Sequence, residues 1–165
     1  MSDLHLPIVR ASRLITLIGM TLLLAASVSC SMTTGPGRSG EELELLRNRQ
    51  RWASAGIHAY EFEFRRTCFC LPDATEPVRI TVRNDVVTSV IRTRDGQPAS
   101  TNVRTWPTVD SLFTEVRRQI DQSAERLEVE YDASYGYPRS MAVDVRATMA
   151  DDEFWISATN LRRLP

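Results

Sequence analysis

The stretch "HAYEFEFRRTC", His58 to Cys68, decides the fold. Aromatic and charged residues alternate along it. A β-strand sends successive side chains to opposite faces, so Tyr60, Phe62 and Phe64 form one apolar side while Glu61, Glu63 and Arg65 form a charged one. Working outward, "VRITVR" repeats the pattern with Val78, Ile80 and Val82 inward, and Asn84-Asp85 makes a short turn into "VVTSVIR". These three strands are expected to form an antiparallel meander. On the other side of the opening stretch the period is helical. "EELELLRNRQRWASAG" carries Leu45, Leu46, Trp52 and Ala53 with helical spacing and stops at Gly56, a C-cap residue. Ser39 and Glu42 have capping-box spacing ahead of it.

A loop, "DGQPASTNVRTWPT", follows the meander. Then Val109, Leu112, Phe113, Val116 and Ile120 fall on one helical stripe, with Thr108 as N-cap and Asp110 in the first turn. Three more alternating segments complete the chain. "LEVEY" sets Leu127, Val129 and Tyr131 against Glu128 and Glu130; "SMAVDVRA" sets Met141, Val143 and Val145 inward; "EFWISATNL" does the same with Phe154, Ile156 and Ala158. The order predicts an α+β fold, α-βββ-α-βββ, an antiparallel sheet with its helices on one face. Identity between the two halves is too weak to assign a repeat.

The 165 residues are enough for one domain of ordinary size, and a net charge of −1 gives no reason to expect nucleic acid as a partner. Every basic residue is Arg, spread along the chain, a pattern that a GC-rich coding bias produces without any binding role. The N-terminus carries the strongest targeting signal. Arg10 and Arg13 precede the apolar run Leu14 to Ser29, the layout of a secretory signal and short for a membrane span of about 20 residues. Ser27-Val28-Ser29-Cys30 resembles the lipobox of bacterial lipoproteins, with Ser27 where Leu is usual. The expected organisation is a signal peptide over 1–29, lipidated Cys30 with a Gly-rich flexible tether over 30–39, and a single domain over 40–165. A diacylglyceryl group with an added acyl chain would hold the domain on a membrane, where one chain alone holds it only marginally. Ser31 after the cysteine resembles the outer-membrane sorting pattern of lipoproteins from two-membrane hosts.

Cys68-Phe69-Cys70 is the first place to look for chemistry. On a strand both sulfurs share a face, with Cα atoms about 6.6 Å apart, so a disulfide there needs a local bend. Export to an oxidising compartment favours that bond, and its tiny loop is worth only about 1.5 kcal/mol in chain entropy. A redox-active pair, metal ligands and free thiols remain as other readings of the same residues. His58, the one histidine after the signal segment, lies roughly 33 Å from them along an extended strand and reads as a strand-edge residue. No G-x-S-x-G, phosphate-cradling Gly loop or H-E-x-x-H occurs, and Glu128 and Glu130 read as a solvated strand face. No catalytic residue, metal ligand or cofactor is therefore assigned.

The second candidate is "YDASYGYP", Tyr131 to Pro138. Asp132 suits a turn start, Gly136 allows positive φ and Pro138 fixes the exit into the next strand. Those features describe a shaped connection. The same residues, Tyr131, Asp132, Tyr135, Gly136, Tyr137 and Pro138, also make a candidate binding loop, since loop aromatics suit contacts.

"YEFEFRRTCFC", "TVDSLF", "YDASYGYP" and Asp144 together resemble a family of uncharacterised bacterial lipoproteins, a domain of unknown function, over roughly Trp52 to Ile156. Asn84-Asp85 departs from the Asn-Gly expected at that turn. The resemblance implies a shared fold and an envelope lipoprotein, with no activity, cofactor or catalytic residue. The resulting expectation is a lipid-anchored, non-enzymatic binding module of the cell envelope. Its partner would be an envelope protein or a cell-wall component, on the periplasmic side of the outer membrane in a two-membrane host. The alternative is a thiol redox or metal-handling lipoprotein centred on Cys68 and Cys70.

Overall fold

The computed structural model describes residues 36–99, 102–146, 148 and 152–165. The expected signal segment, Cys30 and residues 31–35 of the tether lie outside the described residues. Helix α1 (Pro36–Ala55) leads into strand β1 (Ala59–Cys68) and a single helical turn, α2 (Pro72–Thr75). The hairpin β2 (Val78–Arg83) and β3 (Val86–Arg92) comes next. A 3₁₀ turn at Val103–Thr105 precedes helix α3 (Val109–Gln122), and β4 (Arg126–Tyr131), β5 (Pro138–Asp144) and β6 (Phe154–Arg163) close the chain. Among the described residues no helix is long and apolar enough to cross a membrane.

All six strands belong to one antiparallel sheet, in the order β3-β2-β1-β6-β5-β4. Each half is a meander, and β1 joins them by pairing with β6, Phe64 opposite Ala158 and Arg66 opposite Ile156. The α+β architecture is the one the alternation implied, with α2 and the 3₁₀ turn added. Both long helices lie on one face: Leu45 and Trp52 of α1 and Leu112, Phe113 and Val116 of α3 share a core with Tyr60, Phe62, Ile80 and Val82. The opposite face is polar and carries exposed ion pairs such as Glu63–Arg79 at 3.6 Å and Glu61–Arg162 at 2.8 Å. Pairs this exposed contribute little each, so burial on the helix side holds the sheet.

Three local readings change. Helix α1 begins at Pro36, so Ser39 stands inside it rather than at its cap, and the helix takes in the last four positions of the expected tether. Its buried stripe runs through Leu45, Asn48 and Trp52, whereas Leu46 and Ala53 are exposed. Helical spacing alone left the facing direction open by one residue; packing chose it. Leu127, Val129 and Tyr131 are only half-buried because β4 is an edge strand with a neighbour on one side. The turn at Asn84-Asp85 forms without glycine. Both residues take positive φ, 50° and 63°, as a tight hairpin demands. Asn and Asp tolerate that region, and the Asp85 carboxylate, 2.8 Å from His58 Nδ1, braces the turn.

Candidate functional site

A row of rings runs along the inner face of the sheet. Trp52 meets Tyr137 at 6.3 Å and Tyr60 at 5.4 Å between ring centroids; Phe62, Phe64 and Trp106 continue it edge to face or tilted at 5.9 to 6.4 Å. The row connects the two regions that the sequence singled out: "YDASYGYP" lies at one end, and the end of β1 that leads to the C-x-C lies at the other.

The tyrosine loop is built from its own backbone. Asp132 Oδ1 accepts from the N–H groups of Ser134 at 3.0 Å and Tyr135 at 2.7 Å, and the Asp132 N–H donates to Tyr137 O at 2.9 Å. This is the turn chemistry that the aspartate suggested. The loop then faces inward. Tyr137 is 4% exposed, Gly136 and Pro138 are buried, and Tyr131 stacks on Phe113 with centroids 6.4 Å apart. Burial holds the hydroxyls of Tyr131 and Tyr137 protonated above the ordinary tyrosine range. Gly136 lies directly on α1. A Cβ there would stand 2.7 Å from Asn48 O and 3.1 Å from Arg51 Cβ. Within the candidate binding loop, Tyr137, Gly136 and Pro138 are thus turned inward. These residues clasp α1 to the sheet, and the exposed positions in the segment are Ala133 and Ser134.

At the other end Cys68 and Cys70 form a disulfide. The bend that such a bond requires is present: Cys68 closes β1, the Cys70 N–H donates to Cys68 O at 2.8 Å, and the Cα atoms approach to 5.2 Å. The closed loop thrusts Phe69 outward at 85% exposure, and Leu71, the N-cap of α2, follows at 80%. The two are the most exposed of the large apolar side chains among the described residues. His58 sits at the far end of β1 from the sulfurs, paired with Asp85, as the strand spacing required. Glu128 and Glu130 are each engaged by an arginine, Arg126 at 3.0 Å and Arg139 at 2.8 Å. The Arg126 hydrogen bond holds the Glu128 carboxyl below its usual range.

One further feature escaped sequence reading. A cleft of about 380 Å³ opens beside the end of the aromatic row, with Phe64, Leu112, Ile156 and Trp106 in its wall together with Arg66 and Arg104. Its signal was in the opening stretch. Arg66 continues the inward parity of Tyr60, Phe62 and Phe64, where a charge is out of place unless something is built around it.

A family described as a family of unknown function (DUF6174) matches residues 44–163. No curated protein and no solved structure matches the chain. The matched span starts inside α1 and runs to the last residue of β6, covering the whole sheet, the disulfide loop and the tyrosine clasp. The chain is thus a member of that family of unknown function.

Proposed function

We propose that this protein is a non-enzymatic binding module of the cell envelope, held to a membrane through a lipidated Cys30. It would engage another envelope protein or a cell-wall component with the disulfide-closed loop. The supporting observation is the exposure of Phe69 and Leu71 on a loop that the Cys68–Cys70 bond keeps short. An apolar contact presented by a pre-ordered loop loses little conformational freedom on binding, which favours affinity. In this reading the disulfide is a brace for the loop, and the tyrosine segment keeps the scaffold rigid behind it.

Two measurements on the protein in its own cells test the proposal. The N-terminal peptide of the membrane-extracted protein begins at Cys30 and carries the mass of acyl chains if the anchor is a lipid at that residue. A photo-crosslinking amino acid at position 69 yields a discrete envelope adduct that the same reagent at position 79, on the polar face of the sheet, does not. Equal labelling patterns at the two positions would sink the docking role of the loop, and an N-terminal peptide without acyl mass at Cys30 would sink the anchor.

A further inference from the structure

The cleft beside the aromatic row presents a cation problem. Arg66 points from the inner face of β1, its guanidinium carbon 5.0 Å above the centre of the Phe154 ring, and its Nε is buried without a hydrogen-bond partner. Arg104, from the 3₁₀ turn, lines the same cleft. Among the described residues neither guanidinium is paired with a carboxylate. The acid in the cleft wall, Glu115, is already engaged: it accepts from Arg118 at 2.6 Å and from Gln119 at 2.7 Å. The first turn of α3 borders the space at Ser111. Positive charge is thus concentrated over an apolar floor of Phe64, Leu112, Ile156 and Trp106. A guanidinium Nε–H that is itself buried and has no acceptor is costly until an anion supplies one.

We propose that this cleft binds a small amphiphilic anion, with a carboxylate or phosphate on Arg66 and Arg104 and an apolar body against Trp106 and Phe64. The volume falls in the range of about 300 to 1,000 Å³ usual for small-molecule sites. Cation–π contact with Phe154 holds the Arg66 side chain across the ring before a ligand arrives, so little rotamer freedom remains to be lost. The site is independent of the apolar loop: its recognition chemistry is charge over an aromatic floor, not an exposed hydrophobic tip.

The test is calorimetric titration of the exported full-length protein with 3-phenylpropionate, phenyl phosphate and the neutral 3-phenylpropanol. Either anion is expected to bind at least about tenfold more tightly than the alcohol, the factor of one charge-assisted contact. Preference between the two anions then tells a carboxylic ligand from a phosphorylated one. Arg66→Met and Arg104→Met, which keep much of the apolar stem, each weaken anion binding about tenfold or more and leave the alcohol unchanged. Arg66→Met is also expected to melt no lower than the wild type without ligand, which separates lost recognition from lost folding. Replacing Phe69 and Leu71 by serine leaves anion binding unaltered. Equal binding of alcohol and anions, no binding of either anion, or wild-type anion affinity in Arg66→Met would each overturn the assignment.

Discussion

Gly136→Ala isolates the clasp between the tyrosine loop and α1. The residue has φ +78°, so alanine there carries backbone strain of about 1 kcal/mol. The added methyl also meets Asn48 O at 2.7 Å and Arg51 Cβ at 3.1 Å. A flexible side chain could move away from such a contact, but Asn48 O is main chain in the middle of a helix whose Leu45 and Trp52 are locked in the core. The loop must therefore lift, or α1 must shift, a repacking that costs about 1–3 kcal/mol. The total, roughly 2–4 kcal/mol, is a large share of the 5–15 kcal/mol that holds a domain folded. Gly96→Ala is the control. Its φ is +70° and nothing lies within 4 Å of the added methyl, so it carries the strain alone, about 1 kcal/mol. Urea titrations of both variants, followed by tryptophan fluorescence, give the difference directly. The reasoning fails if the two variants lose stability equally to within about 0.5 kcal/mol, because the loop would then have slack against α1.

Tyr60→Phe should cost about 1–3 kcal/mol in the same titration, since the Val109 N–H donates to Tyr60 Oη at 2.9 Å in the interior and would be left without an acceptor. A loss below about 0.5 kcal/mol would mean that the N-terminus of α3 finds its acceptor elsewhere. Alkaline pH gives an independent reading of the same residue. Burial raises the hydroxyl pKa of Tyr60 above the ordinary tyrosine value of about 10, so the unfolded chain releases a proton that the folded chain keeps. The stability linked to this group is intact below about pH 10 and falls as pH rises beyond it, by up to about 1.4 kcal/mol per pH unit. Urea midpoints between about pH 8 and about pH 11 check this, and Tyr60→Phe should flatten part of the fall; an unchanged slope in that variant would count against the assignment.

The sheet was legible because its signal is local. Alternation in "HAYEFEFRRTC" needs no knowledge of any partner strand, and the stripe of α3 with its Thr108 cap is likewise a property of one segment; both appear as read. The facing of α1 was less legible, since Leu45 and Leu46 are neighbours on a helix and only the fit against the sheet buries the first and exposes the second. The two ends of the aromatic row show the limit most clearly. "YDASYGYP" announces a turn by itself, through the Asp132 side chain and the Gly136 backbone, yet whether its tyrosines face water or α1 depends on a helix some 80 residues earlier in the chain. Arg66 stands at an inward position of the same period, a charge that the alternation of Tyr60, Phe62 and Phe64 leaves unexplained. Its meaning came from neighbours supplied by β6, α3 and the 3₁₀ turn, which make that position a cleft instead of a core. Residue type and local period settle which backbone forms. What a side chain does is settled by the groups that long-range packing brings within a few ångströms of it, and on that tertiary structure alone decides.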